Sequence, residues 1–206
     1  MTANTFLNNI HKRTFNDVLS FHGHSCAGLA LGYVAALYAR ELLDLTFSED
    51  EEIVVITETD SCMVDSLQVI LGTTAGKGNL FVNNWGKSAF SFYNRTTGKS
   101  VRLMVRSDFI MPNPELDALF QKVISQTDTE EEHLRFHELS DQHIANILST
   151  PGSKIFEVKE PQQLVPKRAR IFDNIICPIC GESVGAARCV EACGQQICQF
   201  CAQNQK

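Results

Sequence analysis

Two histidines and a cysteine stand at alternating positions in the segment His22-Gly-His24-Ser-Cys26. Imidazole and thiolate are the protein ligands that borderline metals such as zinc prefer. The apolar run that follows predicts a long, largely buried helix ending near Leu43, so that Cys26 should lie at or just before its N-terminus. There the helix dipole favours a thiolate over a thiol, which makes the sulfur a better ligand or nucleophile.

The other part of this candidate site follows the run Ile53-Val-Val-Ile-Thr57, whose β-branched residues predict a mostly buried strand. Polar and nucleophilic side chains come directly after the strand: Glu58, Asp60, Ser61 and Cys62. We expect the Cys62 sulfur to meet the first segment at one metal or reactive-thiolate site. Asp60 and Glu58 would be extra ligands, orienting groups or proton acceptors. The alternative is that the histidines only hydrogen-bond the backbone and the cysteines are buried small hydrophobes.

The segment Gly72-Thr-Thr-Ala-Gly-Lys77-Gly-Asn has the glycines of a phosphate-binding loop without its pattern. A Walker A loop has four residues before Gly-Lys, a Ser or Thr after the lysine, and a preceding strand. Here the spacing is three and a glycine follows the lysine, so we reject nucleotide binding. Lys77 can still pair with a carboxylate or an anionic substrate. The candidate catalytic residues are therefore Cys26, Cys62, Asp60 and Lys77.

Near the end of the chain, two Cys-x-x-Cys pairs are separated by seventeen residues, the spacing of four-cysteine zinc sites: Cys177, Cys180, Cys198 and Cys201. A module of about 35 residues cannot bury enough apolar surface to fold alone, and bound zinc would supply the missing stabilisation. Four thiolates leave no open position for a substrate, so we predict a structural zinc site. Cys189 and Cys193 are either spare thiols in a connecting hairpin or a redox pair.

The remaining patterns predict the elements that must position these residues. Alternating apolar and polar residues at 88–94 and 100–106 predict an antiparallel hairpin. Further helices are expected at 64–71, 115–125 and 130–149, and Asp65 in the first of them complements the helix dipole. The acidic stretch 48–52 is expected to be a solvated loop.

The helix expected at 130–149 begins with a capping box formed by Thr129 and Glu132. It carries His133 and His137 at the i,i+4 spacing that two zinc ligands would use. It lacks the glutamate that follows the first histidine of a zincin motif. We therefore expect ordinary surface or packing histidines here.

Composition limits the class of protein. The chain has 206 residues, a net charge of −6 and 44% hydrophobic residues, which is typical of a globular protein and argues against a nucleic-acid coat. The first residues lack the apolar region of a secretory signal. The longest uncharged apolar run, Leu29 to Ala39, is far shorter than the ~20 residues that cross a bilayer. We expect an intracellular, cytoplasmic protein without a membrane partner.

Several segments together resemble a known family, the E subunit of formylmethanofuran dehydrogenase. The segments that carry the resemblance are His22-Gly-His-Ser-Cys-Ala-Gly-Leu-Ala-Leu-Gly-Tyr33, Cys62-Met-Val-Asp65, Gly72-Thr-Thr-Ala-Gly-Lys-Gly-Asn-Leu80, Gly86-Lys-Ser-Ala-Phe90 and Thr97-Gly-Lys-Ser-Val-Arg102. The resemblance runs from about Thr14 to the last residue. The chain departs from the family pattern at Ala27, where proline is usual, and at Thr73, where cysteine is often found.

The resemblance implies an α+β core with a mixed or antiparallel sheet packed with helices, over residues 1–160. A linker is expected at 161–169, followed at 170–206 by a small treble-clef or ribbon-like zinc module. The resemblance also implies a homodimer and a metal-associated cleft near His22 and the two core cysteines. In the parent complex, CO2 and methanofuran are interconverted with formylmethanofuran at a molybdenum or tungsten pterin centre on other subunits.

We therefore predict a metal-binding protein with structural zinc near its end and a second transition metal held by His22, His24, Cys26 and Cys62. It would be an accessory protein or small redox-linked enzyme, associated with an oxidoreductase, in anaerobic one-carbon metabolism. One alternative is a scaffold subunit without chemistry that docks a larger dehydrogenase complex through the zinc module. The other is a zinc-finger regulator that binds nucleic acid, which the negative net charge disfavours.

Overall fold

A computed structural model describes residues 13–109, 113–168, 173–192 and 194–204. The chain divides into two compact units between residues 168 and 169. Cys193, one of the two extra thiols of the second unit, lies outside the described residues. Among the residues described, no helix is long and apolar enough to cross a membrane.

The first unit combines helices with one five-stranded sheet. Its elements are α1 (Phe15–His22), α2 (Ala27–Leu43), β1 (Ile53–Thr57), α3 (Met63–Leu71), β2 (Leu80–Val82), β3 (Ala89–Asn94), β4 (Ser100–Val105), α4 (Pro114–Ser125), α5 (Glu130–Ser149), α6 (Gly152–Ile155) and β5 (Phe156–Lys159). The strand order is β2-β1-β3-β4-β5. Only β1 and β2 pair in parallel, and the other neighbours are antiparallel. This mixed sheet confirms the predicted α+β class.

The expected helices and the hairpin are confirmed to within one residue at their ends. Local signals explain this agreement, because Thr129 and Glu132 form the expected capping box and Gly72 ends α3 with a φ of 70°. The sequence did not predict β2 or α6. Each has only three or four residues, too few to show a period.

The main core lies between the sheet and helices α2 and α3. Phe90 and Phe92 of the sheet are fully buried there, together with Leu29 and Leu67 of the two helices. On other strand residues, Val54, Ile56 and Tyr93 form a separate small cluster. The Tyr93 hydroxyl donates to the carbonyl of Gln163 at 2.7 Å. Part of the stretch expected to be a linker is thus hydrogen-bonded to the sheet.

Helices α2 and α3 pack unusually close together. A Cβ atom added to Gly32 would lie 2.3 Å from the carbonyl oxygen of Met63, so no side chain fits at this position. The Ser66 hydroxyl also donates to the carbonyl of Leu29 at 2.7 Å and ties the two helices together. These contacts fix the first turn of α3 against α2.

The second unit is built from short elements around its cysteines. They are β6 (Asn174–Ile176), β7 (Ser183–Gly185), a 3-10 turn (Ala186–Arg188), β8 (Cys189–Ala192), β9 (Gln195–Cys198) and α7 (Gln199–Asn204). Strand β6 pairs with β7 and β8 pairs with β9, both antiparallel. The buried residues of this unit are one isoleucine and three cysteines: Cys177, Ile197, Cys198 and Cys201. So small an apolar core agrees with a module that needs a metal to fold.

Replacement of Gly32 by alanine should destabilise the first unit. Its methyl group would meet the Met63 backbone, which cannot move aside as a side chain can, and such overpacking costs about 1–3 kcal/mol. Urea unfolding followed by circular dichroism measures the change in the free energy of unfolding.

Gly28 on the same helix is the matched control. Its added Cβ atom would lie 3.5 Å from the Cβ atom of Cys62, an ordinary contact, so Gly28→Ala should be neutral or slightly stabilising. Equal losses for the two variants would show that helix propensity, rather than the close approach, determines the effect.

Candidate functional site

The ends of three helices bring the predicted core ligands together. His22 is the last residue of α1, and Gly23 follows it with a φ of 95°, which turns the chain sharply. Cys26 is the N-cap of α2 and accepts a hydrogen bond from the N–H of Leu29 at 3.3 Å. Cys62 is the N-cap of α3 rather than the end of a strand. The close packing of α2 on α3 places the two cysteines side by side.

The four ligand atoms of His22, His24, Cys26 and Cys62 all lie within 4.8 Å of one another. A tetrahedral zinc ion, with bonds of about 2.0–2.3 Å, holds its ligand atoms about 3.3–3.8 Å apart, so only small side-chain rotations are needed. His24 is exposed to solvent, and the other three residues are half-buried. The cluster thus has the donors and the spacing of a metal site, with one ligand open to water.

The His22 ring shows how the cluster is oriented. Its Nδ1 atom lies 2.7 Å from a carboxylate oxygen of Asp65, and the side chain is 11% exposed. Because an ionised carboxylate can only accept, Nδ1 carries the proton and Nε2 presents a lone pair. That Nε2 atom is buried without a hydrogen-bond partner in the described part of the chain. A carboxylate behind a histidine whose other nitrogen is unpaired is the usual arrangement around a metal ligand.

Asp65 was expected only to complement a helix dipole, and this expectation was too narrow. Gln68 donates to its second carboxylate oxygen at 3.0 Å, which holds the carboxylate in place. Nothing in the local sequence indicates this role, because 43 residues separate Asp65 from His22. Only the packing of α1 near α3 brings the two together.

The Cys62 thiol lies in a less polar environment than its position at a helix end suggests. Burial, and then a hydrogen bond with Cys26, raise the pKa of the Cys62 thiol. A bound cation acts in the opposite direction, since it stabilises the thiolate. The pair therefore favours metal binding over a free thiolate at Cys62.

Asp60 lies beside the cluster. With His22, Ser61, Cys62 and Asp65 it lines a cavity of about 300 Å³. Its exposed carboxylate accepts a hydrogen bond from Asn84 at 2.7 Å. The structure therefore places Asp60 near the two ligands that face this cavity, as a group that can accept a proton or a hydrogen bond.

Glu58 does not take part in the cluster, which corrects the expectation for this residue. Both of its carboxylate oxygens accept hydrogen bonds from the Arg102 guanidinium, at 2.6 and 2.8 Å, and its side chain is only 4% exposed. The bidentate pair raises the pKa of Arg102 and leaves Glu58 no freedom to bind a metal. Glu58 therefore fixes the loop that follows β1.

Lys77 is not brought together with the other candidate catalytic residues. Its ammonium group donates to the carbonyl of Ser48 at 2.7 Å, and Ser48 in turn is hydrogen-bonded to Leu71, at the far end of α3 from Cys62. Burial lowers the pKa of Lys77. The expectation of a fully solvated loop at 48–52 was also wrong, because Ser48 and Glu51 are buried.

A larger cavity, of about 410 Å³, opens beside Cys26 on the other side of the site. Helices α4 and α5 supply much of its wall, with two carboxylates, two phenyl rings and two imidazoles: Asp117, Asp141, Phe120, Phe136, His137 and His143. The phenyl rings are stacked with their centroids 6.1 Å apart. No lysine or arginine lines this cavity.

His137 was expected to be an ordinary surface histidine, and the structure gives it a more specific position. It lies in the wall of this larger cavity, and its Nε2 atom is 3.0 Å from that of His133. The sequence pattern could not indicate the cavity, because α5 reaches Cys26 only through tertiary packing against α2. The i,i+4 spacing of the two histidines was the one available signal.

In the second unit, the sulfur atoms of Cys177, Cys180, Cys198 and Cys201 also lie within 4.8 Å of one another. Hydrogen bonds from backbone N–H groups, first from Cys198 and then from Cys180, lower the pKa of the Cys177 thiol to about 6. A hydrogen bond with Cys198, together with burial, raises the pKa of Cys201 to about 12. Four thiolates cannot all form here without a cation, which a metal ion would provide.

Cys189 stands apart from these four sulfur atoms. It pairs with Cys198 across the β8–β9 hairpin, and its thiol lies 3.8 Å from the carbonyl of Gly185. The structure therefore separates Cys189 from the metal-ligand set. This position agrees with a spare thiol in a connecting hairpin.

Comparison with known proteins places this geometry in context. A family model described as "FmdE, Molybdenum formylmethanofuran dehydrogenase operon" matches residues 21–157. This range includes all four residues of the core cluster. A solved structure of an FmdE-like protein of tungsten formylmethanofuran dehydrogenase, from Syntrophus aciditrophicus, matches with a TM-score of 0.60. The two are 23% identical and the match covers 96% of each chain, so this likeness concerns the fold.

A curated protein of Archaeoglobus fulgidus is also similar to this chain. It is described as a probable S-adenosyl-L-methionine-binding protein and is 32% identical over 189 residues. The match covers 88% of this chain and 50% of the relative. The chain therefore spans about half the length of the curated relative that it matches.

Asp65→Asn should weaken metal binding at the core cluster about 10- to 100-fold, because loss of the charged partner leaves His22 less basic and free to rotate. Asp60→Asn is the control, since this carboxylate bonds Asn84 rather than a cluster histidine. Chelator competition on protein whose tail site is already filled measures the affinity. Equal losses in the two variants would mean that general negative charge, and not the His22 contact, supports the metal.

Proposed function

Because the chain belongs to the FmdE family, we propose that its His/Cys cluster binds a transition metal and works on a small molecule in an adjoining cavity. The protein would be an accessory protein or small redox-linked enzyme of anaerobic one-carbon metabolism. The description of the family and the dehydrogenase named for the Syntrophus structure support the metabolic part of this proposal.

One observation carries the proposal. The Nε2 atom of His22 is buried without a partner in the described chain, while Nδ1 is held by Asp65. An unpaired buried nitrogen is unfavourable unless something binds it, and two thiols and a second imidazole surround this one. A histidine that served only to pack the core would turn both nitrogens toward protein groups or solvent.

The ligands divide into a held set and an exchangeable one. His22, Cys26 and Cys62 are half-buried at helix ends, whereas His24 is exposed on the turn between helices. Catalytic sites use three protein ligands and leave one position for water or substrate. In this proposal His24 occupies the position that a substrate takes. A metal bound there supplies Lewis-acid polarisation of a substrate atom.

The cavities on either side of the cluster favour chemistry over a purely structural role. Cys26 lines the larger cavity, and His22 and Cys62 line the smaller one. A structural zinc site is closed on all sides by its ligands, as in the proposed zinc site of the second unit. A core site reached from two cavities is better suited to binding a small molecule.

Metal counting tests the proposal. The intact protein should bind two metal ions per chain, one at each cluster. The double variant Cys26→Ser/Cys62→Ser should keep only the ion of the second unit, and Cys180→Ser/Cys198→Ser should keep only the core ion. Inductively coupled plasma mass spectrometry on desalted protein counts the ions.

Cys189→Ser is the control for loss of a thiol as such, since this residue lies outside both clusters. It should retain two ions. If the core double variant binds as much metal as the intact protein, the core cluster holds no ion and the proposal fails.

The cavity beside Cys26 favours S-adenosyl-L-methionine as the small molecule, in line with the ligand named for the Archaeoglobus relative. This ligand carries a sulfonium and an ammonium charge together with an aromatic adenine. Asp117 and Asp141 supply carboxylates to the cavity, and Phe120 and Phe136 supply ring faces. No lysine or arginine in the cavity wall would repel the cation.

Binding of S-adenosyl-L-methionine should be measurable by isothermal titration calorimetry, and Phe120→Ala should weaken it about tenfold through loss of ring contact. Ile124→Ala, one turn further along α4, is the matched control because Ile124 is exposed outside the cavity. S-adenosylhomocysteine, which lacks the sulfonium charge, should bind less tightly. Equal affinity for the two ligands, or no binding of either, would exclude this candidate.

The proposal includes a homodimer, or docking onto a larger dehydrogenase complex. Helices α4 and α5 expose large apolar side chains that suit such a contact: Phe120, Ile124 and Leu134. Zinc is the metal proposed for the second unit, because four thiolates are a donor set that zinc accepts.

A further inference from the structure

A third cavity, of about 290 Å³, lies at the turn between β3 and β4 and has no role in the metal site. Three of its lining side chains are cationic, Arg95, Lys99 and Arg168, and no carboxylate lines it. Asn94 at this turn pairs with Ile53 at the start of β1, whereas the metal cluster follows the end of β1. The strand alone separates the two regions by about 13 Å.

Arg95 is the most informative residue of this cavity. Its side chain is only 12% exposed, and one terminal nitrogen donates to the carbonyl of Pro166 at 2.7 Å. Glu51 lies 3.7 Å away and offsets part of its charge. The Nε atom is nevertheless buried without a hydrogen-bond partner among the described residues. Buried N–H groups of charged side chains are almost always bonded, so a partner is to be expected at this position.

The other donors around the turn are already used. The N–H groups of Thr96 and Thr97 donate to the Asn94 side chain, and the N–H of Gly98 donates to the Asn94 carbonyl. The donors that remain for a ligand are therefore charged side chains. In the described chain neither Lys99 nor Arg168 forms a salt bridge, so their charges are not neutralised internally.

We propose that this cavity binds a small anion bearing a phosphate or carboxylate group. The planar guanidinium of Arg95 is suited to two parallel hydrogen bonds with either group, and Lys99 and Arg168 add charge from the cavity wall. Val165 and Arg168 belong to the stretch that leads toward the second unit. A bound anion would therefore tie the β3–β4 turn to that stretch.

Titration calorimetry with inorganic phosphate at low ionic strength tests the proposal, with acetate as the carboxylate arm. One saturable site per chain is expected. Tighter binding of phosphate would assign the site to phosphorylated molecules, and tighter binding of acetate to carboxylic acids. Lys99→Gln/Arg168→Gln should weaken binding of the preferred anion about tenfold or more, because two charges are lost. Both side chains are exposed, so this variant should fold normally.

Two further variants separate a built site from general attraction. Lys154→Gln/Lys167→Gln removes the same two charges from exposed positions outside the cavity and should bind the anion as the intact protein does. Arg95→Lys keeps the charge but loses the planar fork, and should weaken binding several-fold. Cys26→Ser/Cys62→Ser should bind the anion normally, which excludes the core metal as its ligand. The absence of saturable binding, or equal losses in the two double variants, would overturn the proposal.

Discussion

The contact between Gly32 and the Met63 backbone is the constraint on which the core site depends. Cys26 and Cys62 cap the N-termini of the two helices that meet there, so the distance between the helix axes sets the distance between the sulfur atoms. A side chain at position 32 would move the helices apart and separate the two thiols. Stability and metal binding are thus linked through one glycine, although that residue touches no ligand.

The two cysteine-containing clusters meet the demands of metal binding in different ways. In the second unit the ligands supply much of the buried core, so the metal site and the fold are nearly the same thing. The core cluster is instead added to a large hydrophobic core that forms without it. Its ligands can therefore be half-exposed and flanked by cavities, because the fold does not require the site to be closed.

The sequence predicted the features that depend on neighbouring residues and missed those that depend on packing. The ligand set, the helix caps and the β3–β4 hairpin were readable because their signals are local. Asp65 and His137 were missed because each reaches the site through contacts between distant helices. Glu58 and Lys77 were assigned to the site because a charged residue near a strand or loop end looks available, whereas Arg102 and the Ser48 carbonyl already hold them.

The exposure of His24 also bears on how quickly each site exchanges its ion. Release of a metal begins with dissociation of one ligand and entry of water, and His24 can swing into solvent without disturbing a helix. Three of the four sulfur atoms in the second unit belong to buried residues, so water reaches that ion with difficulty. The second unit should therefore keep the ion that it acquires on folding. The core site should follow the metal supply of the cell, and its occupant would then be decided by availability as much as by affinity.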